Sequence, residues 1–96
     1  MINYKKIKTN HKSIEALVMK LQNKNLVLLK GSKGYIMCGY LDLKAAEKIG
    51  EAAVKITGVS NIKEALQASV HSLTTAAKKL GIRKGQPIAE VLKLLA

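Results

Sequence analysis

The stretch Gly34-Tyr35-Ile36-Met37-Cys38-Gly39-Tyr40-Leu41-Asp42 decides how the rest of the chain is read. Residues 34–41 are apolar on both faces of an extended backbone, which predicts a strand buried in the middle of a sheet. A second short apolar run, Asn-Leu-Val-Leu-Leu-Lys at 25–30, precedes it. Gly31-Ser32-Lys33-Gly34 between the two is a turn signal, so the pair reads as a β-hairpin. Asp42 follows the second strand in the position of a helix N-cap. Beyond it, Ala45, Ala46, Ile49, Ala52, Ala53 and Ile56 recur at helical spacing, with Lys44, Glu47, Lys48, Glu51 and Lys55 opposite. That pattern predicts one helix over 43–56, with Glu51 and Lys55 as a favourable i,i+4 pair and Gly58 as its stop.

Toward the amino end, residues 2–8 hold β-formers interrupted by lysines, which suits an edge strand. Thr9-Asn10-His11-Lys12 reads as a turn. Residues 14–21 fit two periods. Ile14, Leu17, Val18 and Leu21 match a helix capped by Ser13, whereas Leu17, Met19 and Leu21 alternate as in a strand; local rules favour the helix. Toward the carboxyl end, Asn61 precedes Glu64 by three, a capping-box spacing that starts a helix over 62–68. Residues 69–73 allow either its continuation or a short strand. The weak helix formers Ser69, Val70, Ser72, Thr74 and Thr75 argue against one long helix. The alternative is a new helix from about Thr74 to Gly81. Pro87 then opens a last helix at its first position, with Glu90 in the first turn.

At this point the residues resemble a known family. Lys33 to Leu43 (KGYIMCGYLDL), Thr57-Gly58-Val59, Ile62 to Val70 (IKEALQASV), Leu73 to Ile82 (LTTAAKKLGI) and Lys84-Gly85 are similar to the YunC-like family of small domains of unknown function. The resemblance runs from about Glu15 to Leu95 and is most specific at Gly34 to Asp42. It implies a strand at 14–21, against the local lean to helix, and a short strand near Ser69 to Leu73. It implies no established activity. The chain departs from the pattern in a shorter long helix, in Lys55 where relatives carry arginine before the Gly-Val, and in Gly85-Gln86 where they carry Gly-Met. A site built on that arginine would be altered here.

The chain has 96 residues, 48% of them hydrophobic, which fits one domain over 1–96 with a single modest core. With three tyrosines and no Phe or Trp, that core must be aliphatic. The fold expected is α+β: a small mixed sheet of four to five strands packed against three to four helices. The single cysteine, Cys38, cannot form an internal disulfide, and no apolar run approaches a membrane span, so a cytoplasmic protein with no membrane partner is expected. The net charge of +11 admits a nucleic-acid partner. The scarcity of arginine and the even spread of lysine point instead to a generally basic surface.

Candidate functional residues cluster at the opening stretch. Tyr35, Cys38, Gly39, Tyr40 and Asp42 would line a ligand site at a strand end leading into a helix, where α/β proteins place ligands. Cys38 is also the one candidate for a cysteine-dependent enzyme, with His11 or His71 as base. Packing is its preferred role, since free cysteine is a common core filler. For Asp42 capping explains the position. Gly39 within a strand marks either a bulge, the preferred reading, or a close approach of ligand to backbone. Lys78, Lys79, Arg83 and Lys84 form a candidate basic surface, though cations there also complement a helix C-terminus. No metal-ligand spacing, phosphate loop or cofactor motif is present, so neither metal nor cofactor is expected. A homo-oligomer would cover any sheet face or edge left open.

Overall fold

The computed structural model describes residues 2–9, 12–40 and 42–96. The elements are β1 (Ile2–Thr9), β2 (Lys12–Lys20), β3 (Asn25–Lys30), β4 (Tyr35–Met37), α1 (Leu43–Lys48), β5 (Ala53–Lys55), α2 (Ile62–Gln67), β6 (Ser72–Leu73), α3 (Thr75–Lys79) and α4 (Ile88–Leu95). The strands form one sheet in the order β1-β2-β3-β4-β5-β6. Every pairing is antiparallel except β4 with β5, which are parallel and joined through α1. The architecture is α+β with six strands among the described residues, slightly more than the four to five expected. The extra one is β5.

β5 replaces the second half of the predicted helix. Gly50 ends α1 after six residues, adopting φ +78°. Gly50 N–H donates to the Glu47 carbonyl and Glu51 N–H to the Ala46 carbonyl, the paired closing bonds of a glycine-terminated helix. The chain then runs extended through Ala52, Ala53, Val54 and Ile56, all buried. Alanine and isoleucine at these positions satisfy helical spacing and a fully buried strand equally, so the pattern alone could not separate them. The helix stop is therefore Gly50, and Gly58 belongs to the loop after β5. The supposed Glu51–Lys55 helix pair does not form, and Glu51 instead accepts a 2.9 Å hydrogen bond from the Tyr35 hydroxyl.

Elsewhere the expected elements stand. Residues 2–9 form the edge strand, and 12–20 form a strand as the family resemblance implied. The β3–β4 hairpin is present, although β4 spans only Tyr35–Met37. Two residues of the predicted first turn, Asn10 and His11, lie outside the described residues. Asn61 caps α2, its Oδ1 accepting from Glu64 N–H at 2.8 Å. The Glu64 carboxylate reaches back to Ser60 N–H and Oγ, which hold its pKa below the usual carboxylate range. Residues 72–73 form a strand, and a bridge joins Ser69 to Pro87. Thr74 starts a separate α3. Pro87 is the N-cap of α4, not its first helical residue, because its backbone stays extended at ψ 138°.

One face of the sheet carries the main core. Ile14, Ala16, Val18, Val27, Leu29, Ile36 and Val54 pack there against Ala65, Ala77, Ile88, Val91 and Leu95 of α2, α3 and α4. The core is aliphatic, as composition required. On the opposite face α1 makes a smaller contact, with Ala46 buried alongside Ala53 and packed by Tyr35, Met37 and Leu43. No helix among the described residues is long and apolar enough to cross a membrane.

Candidate functional site

β4 is where the sheet changes pairing, antiparallel to β3 on one side and parallel to β5 on the other. Chain leaving the carboxyl ends of two parallel strands opens a crevice between the departing loops. A cleft of about 570 Å³ lies there. Cys38, Gly39 and Tyr40 leave β4 along one wall, and Gly58, Val59 and Ser60 leave β5 along another. Asn23 and Lys24 of the turn after β2, with Asn25 at the start of β3, complete it. Asn25 Nδ2 donates to the Ser60 carbonyl at 2.8 Å and ties that turn to the β5–α2 loop.

Cys38 is only 4% exposed, on the inner side of this cleft. Its Sγ accepts from Val27 N–H at 3.4 Å and donates to the Asn25 carbonyl at 3.8 Å. Both partners are backbone, and the thiol serves as a polar stitch across the β3–β4 pair. His71 lies on a different hollow, with Nδ1 3.1 Å from Ser72 Oγ, and His11 lies outside the described residues. Tyr40 is half exposed and also borders an adjoining hollow with Lys20.

Gly39 occupies a turn just past β4, so no strand bulge forms there. Its backbone lies outside the left-handed region, and an added Cβ would meet nothing within 4 Å among the described residues. The other six glycines each answer a demand: Gly50, Gly58, Gly81 and Gly85 take positive φ, and Gly31 and Gly34 would clash with neighbouring backbone. At Gly39 neither conformation nor packing calls for glycine. Gly39 lines the cleft without contributing a side chain to it.

The remaining candidates fall elsewhere. Asp42 caps α1, its Oδ1 accepting from Ala45 N–H at 3.2 Å, and it does not line the cleft. Tyr35 is at the opposite, amino end of β4, beside Glu51 and the Gly31–Gly34 turn. Partial burial, then the hydrogen bond and negative charge of Glu51, push the Tyr35 hydroxyl up to about 12. A tyrosine whose folded pKa exceeds the ordinary 10 contributes stability that is full below pH 10 and is lost as pH rises toward 12. Tyr35→Phe should therefore flatten the fall in stability over that alkaline window. Denaturant midpoints measured across it check this, and an unchanged slope in Tyr35→Phe would contradict it.

Of the four basic candidates, Lys78, Arg83 and Lys84 meet around one hollow of about 520 Å³ with His71 and Ser72. Lys79 does not line it; Lys78 and Lys79 both occupy the last turn of α3, where cations favour the helix carboxyl end. Among the described residues, no three His, Cys, Asp or Glu side chains gather to hold a metal ion.

Two cleft segments escaped the reading of candidate residues. Asn23-Lys24-Asn25 is an ordinary polar turn in the sequence and carries no local signal. Thr57-Gly58-Val59 did carry one, as part of the family pattern, but its proximity to Cys38 depends on the parallel pairing of β5 with β4. Two stretches that carry the family resemblance thus converge on one cleft.

Comparison with known proteins shows the family. Residues 37–95 match the sequence model of the domain of unknown function DUF1805. The protein YunC of Bacillus subtilis, described as uncharacterized, is 34% identical over 96 residues, covering 96% of this chain and 95% of that one. The crystal structure of TA1206 from Thermoplasma acidophilum, a protein of unknown function, is also 34% identical and superposes with a TM-score of 0.96, covering 100% of this chain and 94% of that chain. By the family match over more than half its length and by full-length similarity to YunC, this chain belongs to the DUF1805 family of YunC-like domains, whose function is unknown.

Proposed function

We propose that residues 1–96 act as a single small-ligand-binding domain whose site is the cleft at the carboxyl ends of β4 and β5. The observation that carries this reading is Gly39, a glycine with no conformational or packing demand on it, bordering that cleft. The lining suggests the ligand class. Lys24 contributes a cation, Asn23 and Asn25 amides, and Tyr40 an aromatic ring, while no lining residue is acidic. A small organic acid with a flat apolar body matches that set, the carboxylate facing Lys24 and the body lying against Tyr40. Binding requires no reaction at Cys38, whose thiol is already engaged by two backbone groups.

The test is a titration with a panel of aromatic and aliphatic carboxylates, followed by backbone amide shifts, on wild type and Gly39→Leu. Wild type should show saturable shifts with an aromatic acid. Gly39→Leu should lose them while melting close to wild type, because it adds bulk at a cleft-lining position where a Cβ meets no neighbour within 4 Å among the described residues. Equal binding by the two proteins rules the site out.

A further inference from the structure

The outer face of the sheet is apolar, and α1 covers only its β4–β5 side. The strand registers place Ile2 and Tyr4 opposite Met19 and Leu17, and Leu17 opposite Leu28, on the side away from the main core, while Leu26, opposite Met19, packs against that core. Leu17, Met19 and Leu28 belong to neither buried cluster of the described residues. Ile2 is 61% exposed and Tyr4 56%. An antiparallel sheet with a wet face normally alternates apolar-in with polar-out. Here the polar side chains of that face gather at one end, in the cross-strand row Lys6, Glu15 and Lys30.

We propose that a second copy of this chain binds on this face, the two sheets stacked about a two-fold axis. The area fits. The chain exposes 6009 Å². A folded monomer of its 10.4 kDa mass is expected to expose about 5400 Å². The excess over the whole chain is about 600 Å² per copy, or about 1200 Å² for two copies, which equals the lower end of what stable protein interfaces bury. The charge distribution favours a copy at this place. At net charge +11, two copies repel across most of their surfaces. The centre of this face is uncharged. At its edge Glu15 lies between Lys6 and Lys30 and accepts a 3.0 Å hydrogen bond from the Tyr4 hydroxyl. An isologous contact needs only self-complementarity, which a flat aliphatic patch provides.

Sedimentation equilibrium of the full chain tests this. A species of twice the 10.4 kDa chain mass is expected, strengthened by added salt as the repulsion is screened. Tyr4→Lys, at an exposed edge position, should keep the fold by circular dichroism and weaken the dimer by about tenfold or more. Leu28→Lys, at the centre of the patch, should weaken it further. A chain that stays monomeric up to millimolar concentration overturns the proposal, as does a dimer that a folded Tyr4→Lys leaves unchanged.

Discussion

Thr74→Val should destabilise the protein by about 3 kcal/mol, the sum of a lost helix cap and buried backbone groups left without partners. Thr74 is 1% exposed, and its hydroxyl joins three segments. It donates to the Glu51 carbonyl at 2.7 Å and accepts from Ala53 N–H at 3.0 Å, holding the start of β5. It also accepts from Ala77 N–H at 3.3 Å as the N-cap of α3. Valine has the same shape and none of these bonds. In a chain of this size each kcal/mol lowers the melting temperature by roughly 4–8 °C, so the midpoint should fall by about 12–24 °C. Thr74→Ser keeps the hydroxyl and should lose only about 1 kcal/mol for its methyl group. Denaturant unfolding of the three proteins measures both values. If valine and serine cost the same, the hydroxyl does not hold β5 to α3.

Gly31→Ala should cost about 3 kcal/mol, the upper part of the range for overpacking. A Cβ on Gly31 would lie 2.1 Å from the Leu95 carbonyl oxygen, 2.6 Å from its carbon and 2.8 Å from Ile14 Cδ1. Two of these atoms are backbone and cannot rotate aside. The same carbonyl accepts a 2.9 Å hydrogen bond from Lys33 N–H, which docks the end of α4 into the β3–β4 turn. Alanine must push α4 outward, loosening Leu92 and Leu95 against the sheet. Ser32→Ala, at an exposed position in the same turn, should stay within about 0.5 kcal/mol of wild type. A Gly31→Ala protein as stable as Ser32→Ala would show that the helix end does not dock there.

These two residues illustrate what the sequence could convey. Gly31 was legible as part of a turn, because glycine pairs between apolar runs are a local signal. Its need to admit the Leu95 carbonyl was not legible, because that contact spans most of the chain. Thr74 was legible as a helix start, but its role under β5 was hidden because β5 itself read as helix. The Ala-Ala-Val-Lys-Ile segment meets both periods, and only Gly50 at φ +78° decides between them. For the site the same misreading mattered. Cys38, Gly39 and Tyr40 stood out as a strand end before a helix. Gly58 to Ser60 could join them only once β5 was placed parallel to β4. The strand expected at 14–21 was decided by the family resemblance, since Leu17, Met19 and Leu21 alternate as in a strand while Ile14, Leu17, Val18 and Leu21 also describe a helical stripe.

Mapping where a bound acid perturbs the backbone tests the ligand cleft most directly. With saturating aromatic carboxylate, the amide shift changes should gather at Cys38, Gly39, Tyr40, Gly58 and Ser60, and vanish in Gly39→Leu. Shifts that gather instead around His71, Arg83 and Lys84, or that Gly39→Leu leaves intact, would contradict it.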